Sequence, residues 1–144
     1  MTTFEQKLEK YAELVVKVGV NIQPNQVLNI NTTIDSAPLV RLITKKAYEV
    51  GASYVNVNWT DDVVNRTRYE LAPEETFNEH PKHRAAEQTE LAENGAAFLS
   101  IVSSSPALLK GIDTTRISNQ QKASGKALMK FRQMMMSDKV SWCV

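Results

Sequence analysis

The chain has 144 residues, with 17 Lys+Arg against 16 Asp+Glu and a formal net charge of +1. That balance lacks the basic surplus with which proteins neutralise many phosphates, so nucleic acid is not an expected partner. No leader-like start and no apolar run of about eighteen residues occurs, and the single Cys143 has no internal disulfide partner; a cytoplasmic protein without a membrane span and with one domain-sized core is expected.

Phe4, Leu8, Tyr11, Val15 and Val18 recur at alternating four- and three-residue steps. They follow Thr2 and Thr3, either of which can cap a helix with Glu5 or Gln6 completing the box. The spacing predicts a first helix that ends near Gly19, with these five residues as its apolar face. Gln23-Pro24-Asn25 is turn chemistry, and a strand is expected near residues 26–31. Its exit, Asn31 to Ser36, is expected to lead as a loop into a capped helix through Val50, with Leu39, Val40, Ile43, Ala47 and Val50 inward. Gly51 ends that helix, and residues 54–59 read as the next strand.

Residues 61–95 read as helical segments. Asp61 and Asp62 can cap one, Pro73-Glu74-Glu75 opens another, and Pro81 starts a third that runs to Asn94. Residues 96–102 are nearly all apolar and predict a third strand, broken by Ser103-Ser104-Ser105-Pro106. A short turn at 107–110 precedes one long helix over 114–137, with Ile117, Leu128, Phe131 and Met135 inward. A fourth strand is expected at 140–144. Strands separated by helical crossovers predict an α/β fold: a parallel or mostly parallel sheet with helices on both faces, flavodoxin-like or Rossmann-like. The last strand is apolar on both sides with nothing after it to cover it. The chain is therefore expected to be the front part of a longer protein, cut at the fourth strand, with Val140, Trp142 and Val144 exposed or covered by a neighbour.

Few residues suggest chemistry. His80 and His83 have a spacing that could bring two imidazoles together, but Pro81 puts His80 before the helix, and a solvated helix start is the better reading. The pairs Asp61-Asp62 and Glu74-Glu75 sit where helix N-termini favour negative charge. Gly125-Lys126 lacks the first glycine of a phosphate loop, since Gln120 occupies that position. Met134-Met135-Met136 reads as core and helix end, and Cys143 as buried filler. No catalytic or metal-ligating residue is assigned. Open α/β sheets bind ligands at the carboxyl ends of their strands, which makes Thr32, Thr33, Asp61, Asp62, Ser103 and Ser104 the candidates for lining a substrate cleft. The same residue types are also what turns and caps require.

Several longer strings add to this reading. Residues 47–55, from Ala47-Tyr48-Glu49-Val50-Gly51 to Tyr54-Val55, are followed by Trp59-Thr60-Asp61-Asp62. Arg68-Tyr69-Glu70-Leu71-Ala72-Pro73-Glu74-Glu75 and Pro106-Ala107-Leu108-Leu109-Lys110-Gly111-Ile112-Asp113 come next, with Arg116-Ile117 and Gln121-Lys122-Ala123 after them. In order and gaps, across nearly the whole chain, these resemble the N-terminal domain of the aminopeptidase T and aminopeptidase S family of metallo-aminopeptidases, nearest the aminopeptidase S branch of low-GC Gram-positive bacteria. The resemblance implies a two-domain, cytoplasmic, homodimeric exopeptidase that removes N-terminal residues from peptides with two divalent metals, cobalt, zinc or magnesium. It implies that the Glu, His and Asp ligands belong to a C-terminal domain, because no stretch here matches those motifs. The present residues would then form a non-catalytic domain that walls the active-site cleft and aids dimerisation, inert alone. Two readings from other classes stand beside it: a stand-alone α/β module for a small anionic ligand, and a structural oligomerisation domain. The first would be favoured by a glycine-rich first strand-to-helix turn, and residues 31–36 contain no Gly.

Overall fold

The computed structural model describes residues 3–102, 107–136 and 141–144. Four strands, β1 (Val27–Thr33), β2 (Tyr54–Thr60), β3 (Ala97–Ser100) and β4 (Trp142–Cys143), form one sheet in the order β2-β1-β3-β4, and every neighbouring pair is parallel. This is the order of a flavodoxin-like sheet, whose direction of growth reverses between β1 and β3. Six α-helices occur among the described residues: α1 (Phe4–Leu14), α2 (Ala37–Glu49), α3 (Asp62–Leu71), α4 (Lys82–Glu93), α5 (Thr114–Ala127) and α6 (Met129–Met135). The expected parallel α/β fold is what the chain adopts.

The register sorts strand residues by alternation into two faces. On one, Leu28 and Ile30 of β1, Val55 of β2, and Ala97 and Leu99 of β3 are buried beneath Ala12, Val16 and Val20 and beneath Val40, Ile43 and Ala47 of α2. On the other, Phe98 packs with Ala92 of α4, Ala96, and Phe131, Met134 and Met135 of α6. Helices thus cover both faces.

Local chemistry explains most element ends. Thr3 and Gln6 form a reciprocal capping box at α1, with Thr3 Oγ1 accepting from the Gln6 N–H at 3.2 Å and Gln6 Oε1 accepting from the Thr3 N–H at 3.0 Å. Asp61 caps α3 and Asp113 caps α5. Glu74 and Glu75 occupy the first turn of a 3-10 segment, Glu74–Asn78. Gly51, just past α2, has φ +104°, a left-handed conformation that a side chain resists.

Several expectations are corrected. The apolar stripe of α1 is out of phase with the core: Phe4 and Val18 are 77% and 69% exposed, Tyr11 is exposed, and Ala12, Val16 and Val20 are buried instead. The helix continues as a π turn over Val15–Gly19, and the extra residue in that turn rotates the residues after it. Second, Thr32 and Thr33 are strand, not loop, because β1 and β2 stay paired through Thr33 and Thr60. Third, no side chain among the described residues caps α2; a 3-10 turn at Ile34–Ser36 and Pro38 in the first turn start it. Fourth, the long helix over 114–137 is two helices broken at Leu128 (φ −99°, ψ 12°). The break lets Phe131 meet Phe98 edge-on at 5.1 Å. β4 is assigned only at Trp142–Cys143; Trp142 and Val144 are exposed, Cys143 is half-buried rather than buried, and Val140 lies outside the described residues.

A separate layer forms where α3, the Glu74–Asn78 segment and α5 meet. Phe77 is fully buried there, stacked on Tyr69 at 5.4 Å, with the guanidinium carbons of Arg68 and Arg116 at 4.6 and 5.0 Å from its ring centre. Arg116 donates to the carbonyls of Tyr69 (3.1 Å) and Ala72 (2.9 Å), and Arg66 to those of Leu108 (2.5 Å) and Lys110 (2.9 Å). No helix among the described residues is long and apolar enough to cross a membrane.

Candidate functional site at the carboxyl edge of the sheet

Asn29 and Asn31 of β1 pair in register with Asn56 and Asn58 of β2, so four amides stand on one face of the sheet. They are joined by hydrogen bonds. Asn56 Nδ2 donates to Asn29 Oδ1 at 2.8 Å, and Asn58 Nδ2 donates to both Asn29 Oδ1 (3.1 Å) and Asn31 Oδ1 (2.8 Å). α4 closes the inner end of this ladder, where Glu87 Oε1 accepts from Asn56 Nδ2 at 3.2 Å and Gln88 Oε1 lies 3.5 Å from Asn29 Nδ2. Asn29 is completely buried, and buried amides persist only when they are bonded in this way.

The ladder leads outward to the carboxyl ends of β1, β2 and β3. There Asn31, Asn58 and Ser100 are half-buried and Thr60 is exposed. Thr60 Oγ1 donates to the Thr32 carbonyl at 3.1 Å. Of the residues singled out in the sequence, Thr32 and Thr33 are both 5% exposed at the end of β1, and Asp61 and Asp62 begin α3 immediately after β2. Asp61 Oδ1 accepts from the Val63 N–H at 2.9 Å. Thr32, Thr33, Asp61 and Asp62 thus share one end of the sheet. Ser103 and Ser104 lie outside the described residues. Sequence reasoning missed the amides; the signal for them is the Asn-x-Asn step present in both strands, which places all four on one face only once the strands pair in register.

This edge offers amides and hydroxyls, groups that orient a polar ligand by hydrogen bonding. Among the described residues no group of three His, Cys, Asp or Glu side chains is placed to hold a metal ion, so these residues do not fit a dinuclear metal centre. His83 is exposed on α4. His80 precedes that helix, as Pro81 requires, but it is not simply solvated: it is half-buried and its Nδ1 is 3.1 Å from Ser124 Oγ. Burial, and then the charges of Arg84, Arg132, Arg68 and His83, hold its pKa below the usual value of 6.5.

Comparison with known proteins places these features. A family profile described as thermophilic metalloprotease (M29) matches residues 4–144. Over 144 residues the chain is 56% identical to aminopeptidase AmpS of Bacillus subtilis, covering all of this chain and 35% of that protein. It is 49% identical over 142 residues to aminopeptidase 2 of Geobacillus stearothermophilus, covering 99% and 34%. The solved structure of wild-type AmpT from Thermus thermophilus superposes with a TM-score of 0.91 at 31% identity, over 97% of this chain and 35% of that one. The chain therefore spans about a third of the length of the relatives it matches.

Proposed function

This chain belongs to the thermophilic metalloprotease (M29) family, and on that premise we propose that it is the N-terminal domain of a cytoplasmic, metal-dependent aminopeptidase. The observation that carries the proposal is the 56% identity to an aminopeptidase over the whole of this chain. In this reading the protein removes N-terminal residues from peptides and uses two divalent ions, of cobalt, zinc or magnesium. Convergent carboxylates and imidazoles would hold them in residues other than these. The domain walls one side of the active-site cleft with the carboxyl edge of its sheet, Thr32, Thr33, Asp61, Asp62, Ser103 and Ser104 included, and contributes to a homodimer. The amide ladder supports the walling role, because a wall that hydrogen-bonds a peptide needs fixed donors and acceptors and no competing nucleophile.

The test compares the 144-residue chain with the longer protein that carries it. Each is incubated with a set of short peptides and cobalt, zinc or magnesium, and released amino acids are measured. The longer protein is expected to turn over and to lose activity to a chelator, while the 144-residue chain shows no release. Metal-dependent turnover by this chain alone would refute the proposed division of labour.

A further inference from the structure

A cleft of ≈ 870 Å³ lies away from the sheet edge, between the Glu74–Asn78 segment, the start of α4 and the end of α5. Arg68, His80, Lys82 and Lys126 line it, and Glu79 is the one carboxylate among its lining residues. The chain as a whole is nearly neutral, at +1, so this is a local concentration of positive charge and not a basic protein seen from one side. Arg84 and Arg132 add to it, since both act on His80. Among the described residues none of Arg68, Lys82, Arg84, Lys126 and Arg132 has a carboxylate within ion-pair distance.

The start of α4 sharpens the imbalance. Its first turn carries Lys82, His83 and Arg84 and no acidic residue, at the end of a helix where the backbone dipole favours negative charge. Pro81 at the cap supplies no side-chain acceptor for the free N–H groups. Unpaired cations and an uncapped helix start facing one concavity are each unfavourable alone, and a bound anion relieves both. We propose that this cleft binds an oxyanion, a carboxylate or a phosphate group, of a small molecule or short peptide.

The side chains are prepared for such a ligand. Arg68 is held over Phe77 and donates to Gln120 Oε1 at 2.5 Å, and Gln120 Nε2 donates to Ser124 Oγ at 3.1 Å. Ser124 Oγ, which accepts from Gln120, also lies 3.1 Å from His80 Nδ1. Arg68 and His80 are thus fixed by one chain of hydrogen bonds, while Lys82 and Lys126 are exposed and move freely enough to close on an anion.

The experiment follows the His80 imidazole by NMR and the unfolding temperature of the chain, in inorganic phosphate and in chloride at equal ionic strength. Phosphate is expected to raise both the unfolding temperature and the pH at which His80 titrates. The double variant Lys82→Gln/Lys126→Gln, which touches no packed side chain, is expected to bind at least about tenfold more weakly. A tripeptide with a free C-terminal carboxylate, set against its C-terminal amide, separates the two sources. Binding of the acid but not the amide assigns a carboxylate, and binding of phosphate alone assigns a phosphate. Equal behaviour in phosphate and chloride with neither peptide bound, or unchanged affinity in the double variant, overturns the proposal.

Discussion

Replacing Phe77 separates two contributions that the structure superimposes. The ring is fully buried, stacked on Tyr69, and flanked by two guanidinium groups at 4.6 and 5.0 Å. Phe77→Ala removes the buried ring and leaves a cavity, a loss of about 3–5 kcal/mol. Phe77→Leu keeps most of the buried volume but removes the aromatic face. Two half-buried cation–π contacts of about 0.5–1 kcal/mol each, with a repacking cost, give a loss of about 1–2 kcal/mol. At about 2–4 °C per kcal/mol for a chain of this size, the alanine variant should unfold about 10 °C lower and the leucine variant about 4 °C lower. Urea and thermal denaturation of the two variants measure this directly. A leucine variant as stable as the parent would show that the guanidinium contacts contribute nothing. An alanine variant that loses under about 1 kcal/mol would refute the buried, well-packed ring itself.

Three further outcomes are expected. Asn29→Ala deprives Asn56 and Asn58 of a shared acceptor and should cost about 2 kcal/mol in urea unfolding, tempered because each retains a second partner, Glu87 or Asn31. Gly51→Ala forces a side chain into φ +104° with its Cβ 3.4 Å from Pro24 Cα, and should cost about 1–2 kcal/mol by the same measurement. The lowered pKa of His80 makes the unfolded chain bind the proton more readily than the native one, so stability should fall as pH drops below 6.5; His80→Gln should flatten that part of the profile, and an unchanged slope would exclude His80 as its source.

The parallel sheet was legible because each strand is a short run of apolar or alternating residues set between helical segments, a pattern that short-range chemistry and connectivity largely determine. What failed was phase and partnership. Phe4, Tyr11 and Val18 are as periodic as Ala12, Val16 and Val20, and the larger side chains looked the better core. The smaller set wins because α1 packs against both α2 and the sheet, where short side chains allow close approach. The amides were hidden for a different reason: an asparagine in an alternating strand looks like an ordinary polar position until the neighbouring strand is in register. His80 was read from Pro81 beside it, while the groups that define its setting, Ser124 and Gln120, are far along the chain. Of the suggested edge residues, Asp61 and Asp62 follow from their place after a strand, and Thr32 and Thr33 sit at the same end but deeper than a loop would be.

The paired asparagines also bear on how the chain finds its fold. β2 is an edge strand, and a slip of one residue against β1 would carry Asn56 and Asn58 beneath α2 and bring Val55 and Val57 against Glu87 and Gln88. An apolar sheet face tolerates such slips with modest loss; this one would strand amides in hydrocarbon on one side and leave their partners without donors on the other. Asn58 tightens the constraint by bridging two successive positions of β1. The polar ladder therefore acts as a proofreader of strand alignment, giving up interior that could have been greasier to keep misregistered sheets from persisting.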